Sequence, residues 1–154
     1  MINFDHSTNS ITTSGGNLVL PTAALGTPAS GTLTNCTIDG TNKIGFLNIP
    51  QNSKSADYTL VLTDAGGHIF HPSADTTART FTIPANSSVG YPIGTAIMFI
   101  NQNGAGIVTI AITTDTIRLA GAGTTGNRTL AANGMATAVK VTSTEWIISG
   151  SGLT

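Results

Sequence analysis

His68, His71 and Asp75 form the densest group of chemistry-capable side chains in the sequence. Side chains alternate along a strand, so the spacing of three puts the two imidazoles on opposite faces, whereas a metal pair on one strand needs a spacing of two. No carboxylate-rich shell surrounds them, so hydrogen-bonded structural histidines are expected. A Ser-His-Asp triad need not be contiguous, but no GxSxG elbow supplies the nucleophile. Gly121-Ala-Gly-Thr-Thr-Gly126 matches the GxGxxG pattern of dinucleotide sites. That site requires a preceding strand and a following helix N-terminus for the pyrophosphate. Here Asn127-Arg-Thr-Leu130 continues in extended letters, so the glycines read as a loop between strands. The seven acidic residues are Asp5, Asp39, Asp57, Asp64, Asp75, Asp115 and Glu145, mostly in turn contexts. Glycoside hydrolysis would need two of them facing each other across a cleft. Cys36, the only cysteine, allows no disulfide within the chain and reads as a small buried apolar residue. The expectation is a protein that is not an enzyme and has no cofactor and no metal.

Only 8% of the 154 residues are charged, against about 25% in ordinary domains, and the net charge is −1. This gives no case for nucleic acid or for an anionic membrane. Arg79, Arg118 and Arg128 are too scattered for a nucleic-acid footprint and are candidates for subunit-interface hydrogen bonds. Thr, Ser, Asn and Gly supply the polarity instead, and such a surface suits packing against other protein, so an oligomer or assembly component is expected. The sequence Met1–Ser10 has neither a basic n-region nor an apolar h-region, and no run reaches membrane-spanning length. The chain is therefore expected to stay in the cytoplasm until it joins an assembly. Asn35, Asn86 and Asn127 fit the glycosylation sequon, as chance allows in a chain of this composition.

The elements that must position these residues are strands. Before Pro50, isolated turn signals and the short apolar patches Leu18-Val-Leu20 and Leu47-Asn-Ile49 predict an extended arm over 1–50, ordered by lying on a partner. Within it, Thr32–Ile38 is one expected strand, and Leu18, Leu20, Leu33 and Ile38 are candidate interface residues. From 51 to 154 the pattern predicts one antiparallel β-domain, a sandwich or barrel, with strands over Tyr58–Thr63, His68–His71, Arg79–Ile83, Thr95–Asn101, Ile107–Thr113, Arg128–Leu130, Met135–Val141 and Thr144–Ser149. Asp64-Ala-Gly-Gly67 and Asn133-Gly134 read as tight turns between paired strands. Trp146, inside an apolar run, is expected in the core. Tyr58 and Tyr91 remain the aromatic candidates for a sugar platform.

Two blocks, Gly67–Ile112 and Asp115–Thr154, resemble a module of structural proteins of tailed bacteriophages, with the terminal TEWIISGSGLT similar to a closing strand of such modules. Leu18–Ile38 is similar to linkers of the same class. The resemblance implies a virion component with no catalytic residues. Its threefold relatives imply a homotrimer. A compact β-domain with a short arm suits a head decoration (cement) protein bound to the major capsid protein lattice. A tail fibre or spike module, bound to tail proteins or a host surface glycan, is the alternative.

Overall fold

The computed structural model describes residues 2–5, 10–13 and 48–154, and the chain divides into two compact units, Met1–Gly45 and Phe46–Thr154. In the first, β1 (Ile2–Asp5) pairs antiparallel with β2 (Ser10–Thr13), Ile2 opposite Thr13 and Asp5 opposite Ser10. The expected strand over Thr32–Ile38, the lone Cys36 and the candidate interface residues Leu18, Leu20, Leu33 and Ile38 lie outside the described residues.

The second unit is a sheet of nine strands curled into a half-barrel. They are β3 (Gln51–Ser53), β4 (Tyr58–Thr59), β5 (His68–His71), β6 (Arg79–Ile83), β7 (Ala96–Asn101), β8 (Val108–Ile112), β9 (Thr116–Leu119), β10 (Arg128–Lys140) and β11 (Glu145–Leu153). The only helical element among the described residues is a 3-10 turn at Leu62–Asp64. The all-β expectation therefore holds. The expectation of antiparallel neighbours does not: β3, β5 and β7 run parallel in one arm, and β4, β6 and β8 run parallel in the other. Parallel strands need a crossover. Each strand of one arm supplies it for the other, so consecutive strands alternate between arms like turns of a coil.

This alternation explains why the hairpin readings fail. The Asp64–Gly67 turn has its positive φ, +74° at Gly66, but it carries the chain from one arm to the other. Gly66 N–H donates to Ala96 O (2.9 Å) and delivers β5 alongside β7. The strand expected over Tyr58–Thr63 shortens to Tyr58–Thr59, because Leu62–Asp64 winds into the 3-10 turn.

The Asn133-Gly134 signal fails in a more informative way. Asn133 does adopt positive φ (64°), but β10 runs through it without reversing. Residues Arg128–Leu130 pair with β8, and Met135–Val139 pair with β7, so one strand closes both arms. Between them the strand bulges: Leu130 faces Leu153 and Met135 faces Ser151 on β11. A bulge bends a strand and re-aims it. Gly134 is required there, because a Cβ would run into Ala131 O and the Leu130 side chain. On its other edge β10 pairs antiparallel with β11, which pairs parallel with β9.

The core fills the concave side. Alternate residues of both arms point inward: Ile69, Ile97 and Phe99 from one, Phe81, Ile83, Val108 and Ile110 from the other. Ala136, Ala138, Trp146 and Ile148 of β10 and β11 meet them. Each fully buried large aliphatic or aromatic side chain contributes about 1.5–3 kcal/mol.

Candidate functional site

Among the described residues, three polar clusters lie where chemistry could be sought. The first joins His71, Asp75, Arg79 and Asn101. As the strand spacing requires, His71 is buried and His68 faces outward. The Asn101 amide donates to Gly106 O (2.9 Å) and Leu130 O (3.0 Å), which leaves its Oδ1 to accept from His71 Nδ1 at 3.0 Å. His71 Nε2 lies 3.1 Å from Asp75 Oδ2, so this imidazole is flanked by an amide and a carboxylate, with no serine in the nucleophile position. Arg79 grips Asp75 with Nε (2.7 Å) and Nη2 (3.2 Å).

That grip holds the Asp75 carboxyl well below the usual carboxylate range, with the Thr77 N–H and His71 adding to it against partial desolvation. The folded state thus keeps Asp75 ionised where the unfolded chain already takes up a proton. The stabilisation is complete above about pH 4 and declines as the pH falls below it. Asp75→Asn should therefore flatten the acid limb of a plot of thermal midpoint against pH. Parallel curves for the two proteins would refute this.

The second cluster surrounds Asp64, which is almost fully buried. Its Oδ1 accepts from Asn52 Nδ2 (2.8 Å), and its Oδ2 accepts from Tyr58 OH (2.9 Å) and Val61 N–H (2.8 Å). Burial, followed by the Asp64 hydrogen bond and charge, raises the Tyr58 hydroxyl above its ordinary value. Tyr91 OH donates to Val61 O at 2.6 Å, and burial, then the Asp64 charge, pushes it up as well.

In the third cluster, Tyr91 stacks edge-on against Trp146 (5.5 Å between ring centres). The ammonium of Lys140 lies 5.6 Å over the Trp146 ring and donates to Asn86 Oδ1 at 2.5 Å. Trp146 and Tyr91 are both buried, so the core expectation for Trp146 holds and Tyr91 offers no platform to a sugar. Tyr58, half-buried, has Asp64 on its hydroxyl and Lys54 over its ring at 3.9 Å.

The three arginines expected at an interface each have partners within the chain, Arg118 and Arg128 on adjacent carbonyls of one loop. Arg79 is ion-paired with Asp75. Arg118 binds Glu145 Oε1 (2.6 Å) and Gly123 O (2.9 Å). Arg128 is buried and donates to Thr124 O. The Gly121–Gly126 segment is a loop between β9 and β10, as read from the sequence, with positive φ at Gly121, Gly123 and Gly126. Among the described residues no group of three His, Cys, Asp or Glu side chains converges, and no helix is long and apolar enough to cross a membrane.

The remaining candidate is a surface, and the two arms differ in what they present outward. The β4–β6–β8 arm shows threonine: Thr59 and Thr82 share one row with Ala111, and Thr80, Thr109 and Thr129 form the next. The other arm, continued by β10 and β11, shows apolar rows. Ser53, Phe70, Ile100, Met135 and Ser151 align across five strands; so do Ala96, Val139 and Ile147 across three. Between these rows lies a mixed one of Gln51, His68, Met98, Thr137 and Ser149. Sequence reasoning passed over this face although a signal was present. Ala96–Ile100 and Trp146–Ile148 are apolar at every position, which is the mark of strands covered on both sides rather than one.

No protein-family model matches the chain, and no curated protein matches it. The face of β3, β5, β7, β10 and β11 is thus described by its own chemistry alone, as an outward surface with two apolar rows and no charged side chain.

Proposed function

We propose that the chain is a structural component of a bacteriophage particle, a trimeric decoration protein that binds the assembled capsid lattice and stabilises the head. The observation that carries the reading is the uncharged outer sheet face with its apolar rows, which suits a component of a protein assembly. The resemblance of Gly67–Ile112 and Asp115–Thr154 to phage structural modules supplies the particle. Burial of Tyr91 and Trp146 favours a decoration role over a glycan-binding fibre tip, because it removes two of the aromatic rings a sugar would stack on. This placement in the virion rests on analogy.

A ligand of the closed shell stabilises it by mass action, about 2.7 kcal/mol per site at a hundredfold excess over Kd. Particles lacking the protein should therefore assemble but rupture at lower temperature, and added purified protein should restore their resistance. Deletion particles with heads of normal stability and no adsorption to host cells would replace this reading with the tail-fibre one.

A further inference from the structure

We infer that the apolar outer face of the β3–β5–β7–β10–β11 sheet is the contact between copies of this chain. Its apolar positions are Phe70, Met98, Ile100, Met135, Val139 and Ile147. In a single chain Met135 is 51% exposed, and Val139 and Ile147, side by side in register, are 36% and 38% exposed. The outward positions, two each on β3 and β5 and three each on β7, β10 and β11, give a footprint of roughly 420 Å² at the usual strand spacing and rise. With its polar positions included, that lies within the range of the largest patch on a typical monomer, roughly 300–600 Å², a patch that is often functional.

Charge selects the occupant. From β3 to Ile147 the outward positions hold no Asp, Glu, Lys or Arg. At the margin Arg118 and Glu145 bind each other, so neither offers a free charge to a partner. A partner bringing charges here would bury them unpaired, at a cost of several kcal/mol each. A second copy brings the same uncharged surface and incurs no such penalty. The threonine rows of the opposite arm have hydroxyls that water satisfies, and its exposed apolar residues, Val61, Leu62 and Ile107, lie beyond the ends of β4 and β8 rather than on the rows.

Size sets the character of the contact. The footprint falls short of the roughly 800 Å² that a standard interface takes from each partner. Val141 continues the outward row of β10, and Ile93 is held near it by the Gly94 N–H to Lys140 O hydrogen bond (2.8 Å), which extends the apolar margin. The association is accordingly concentration-dependent. Only the stoichiometry of three rests on the proposed virion role; the identity of the face does not.

The test uses the full chain. Sedimentation should give an oligomer at high concentration that dissociates on dilution toward the 15.6 kDa of one chain. In the oligomer, peroxide should oxidise Met135 several-fold more slowly than free methionine, and dilution should abolish that protection. Val139→Lys with Ile147→Lys should sediment as a folded single chain, whereas Thr80→Lys with Thr109→Lys on the opposite arm should assemble as the wild type does. If the first variant loses its β-sheet signal, Met135 oxidation in the wild type decides. A wild type that stays monomeric overturns the inference, as does an oligomer in which Met135 reacts at the free rate, or protection of Met135 that arises only on capsids. A monomer that still stabilises heads would remove the inference and leave the decoration role standing. An oligomer that ignores heads would do the reverse.

Discussion

Trp146→Ala should cost the domain about 3–5 kcal/mol, as truncation of a fully buried aromatic does. The loss is not only of apolar area. Trp146 stands edge-on to Tyr91 and beneath the Lys140 ammonium, so its removal opens a cavity and takes the ring from a buried cation that keeps Asn86 as its partner. The indole Nε1 is buried without a hydrogen-bond partner among the described residues. Trp146→Phe should therefore be much milder than Trp146→Ala, since it gives up some volume but also removes an unsatisfied donor. Urea unfolding followed by circular dichroism would separate the two, with the alanine variant shifted to a far lower midpoint at unchanged slope. Native emission at the red wavelengths of a solvated indole would contradict the assignment from the outset.

What the sequence disclosed and what it concealed divide along one physical line. Local alternation was legible. The inward set Val108, Ile110 and Ile112 against outward Thr109 and Ala111 follows from the spacing alone, and so do the opposed faces of His68 and His71 and the buried Trp146. Positive backbone angles were legible too, at Gly66 and Asn133. Which strands become neighbours was not, because a turn signal reports that the chain bends and not what it bends towards. Asn133-Gly134 carries the same letters whether it closes a hairpin or forms a bulge that lets β10 change partner from β8 to β7. The His71–Asp75–Arg79 cluster was half legible: its residues are four apart, but Asn101, thirty positions from His71, enters only through the parallel pairing of β5 with β7. The outer apolar face was concealed for a similar reason. It is assembled across several strands, and only their order brings Phe70, Ile100 and Met135 into one row and Ala96, Val139 and Ile147 into another.

Asn101→Leu should destabilise the domain about as severely as the tryptophan truncation, although it removes no apolar volume. Asn101 is the last residue of β7 and is buried, and its amide makes three bonds to three different parts of the fold. It ties His71 of β5, the carbonyl of Gly106 ahead of β8, and the carbonyl of Leu130 where β10 leaves β8 and begins its bulge. Leucine fits the space but leaves two carbonyls and a ring N–H without partners, each costing about 1–3 kcal/mol when stranded away from water. The sum, about 3 kcal/mol or more, should be accompanied by faster hydrogen exchange at the β10 bulge, because the clamp at the strand switch is gone. Asn101→Asp sharpens the test. The carboxylate still accepts from His71 Nδ1 but confronts two carbonyls with no hydrogen to offer, so this near-isosteric change should also destabilise the domain. A double-mutant cycle with His71→Leu should return a large coupling, since both residues belong to one network. An Asn101→Leu protein within about 0.5 kcal/mol of the wild type would show that the two arms are held by their apolar core alone, and that β10 needs no polar clamp to change partners.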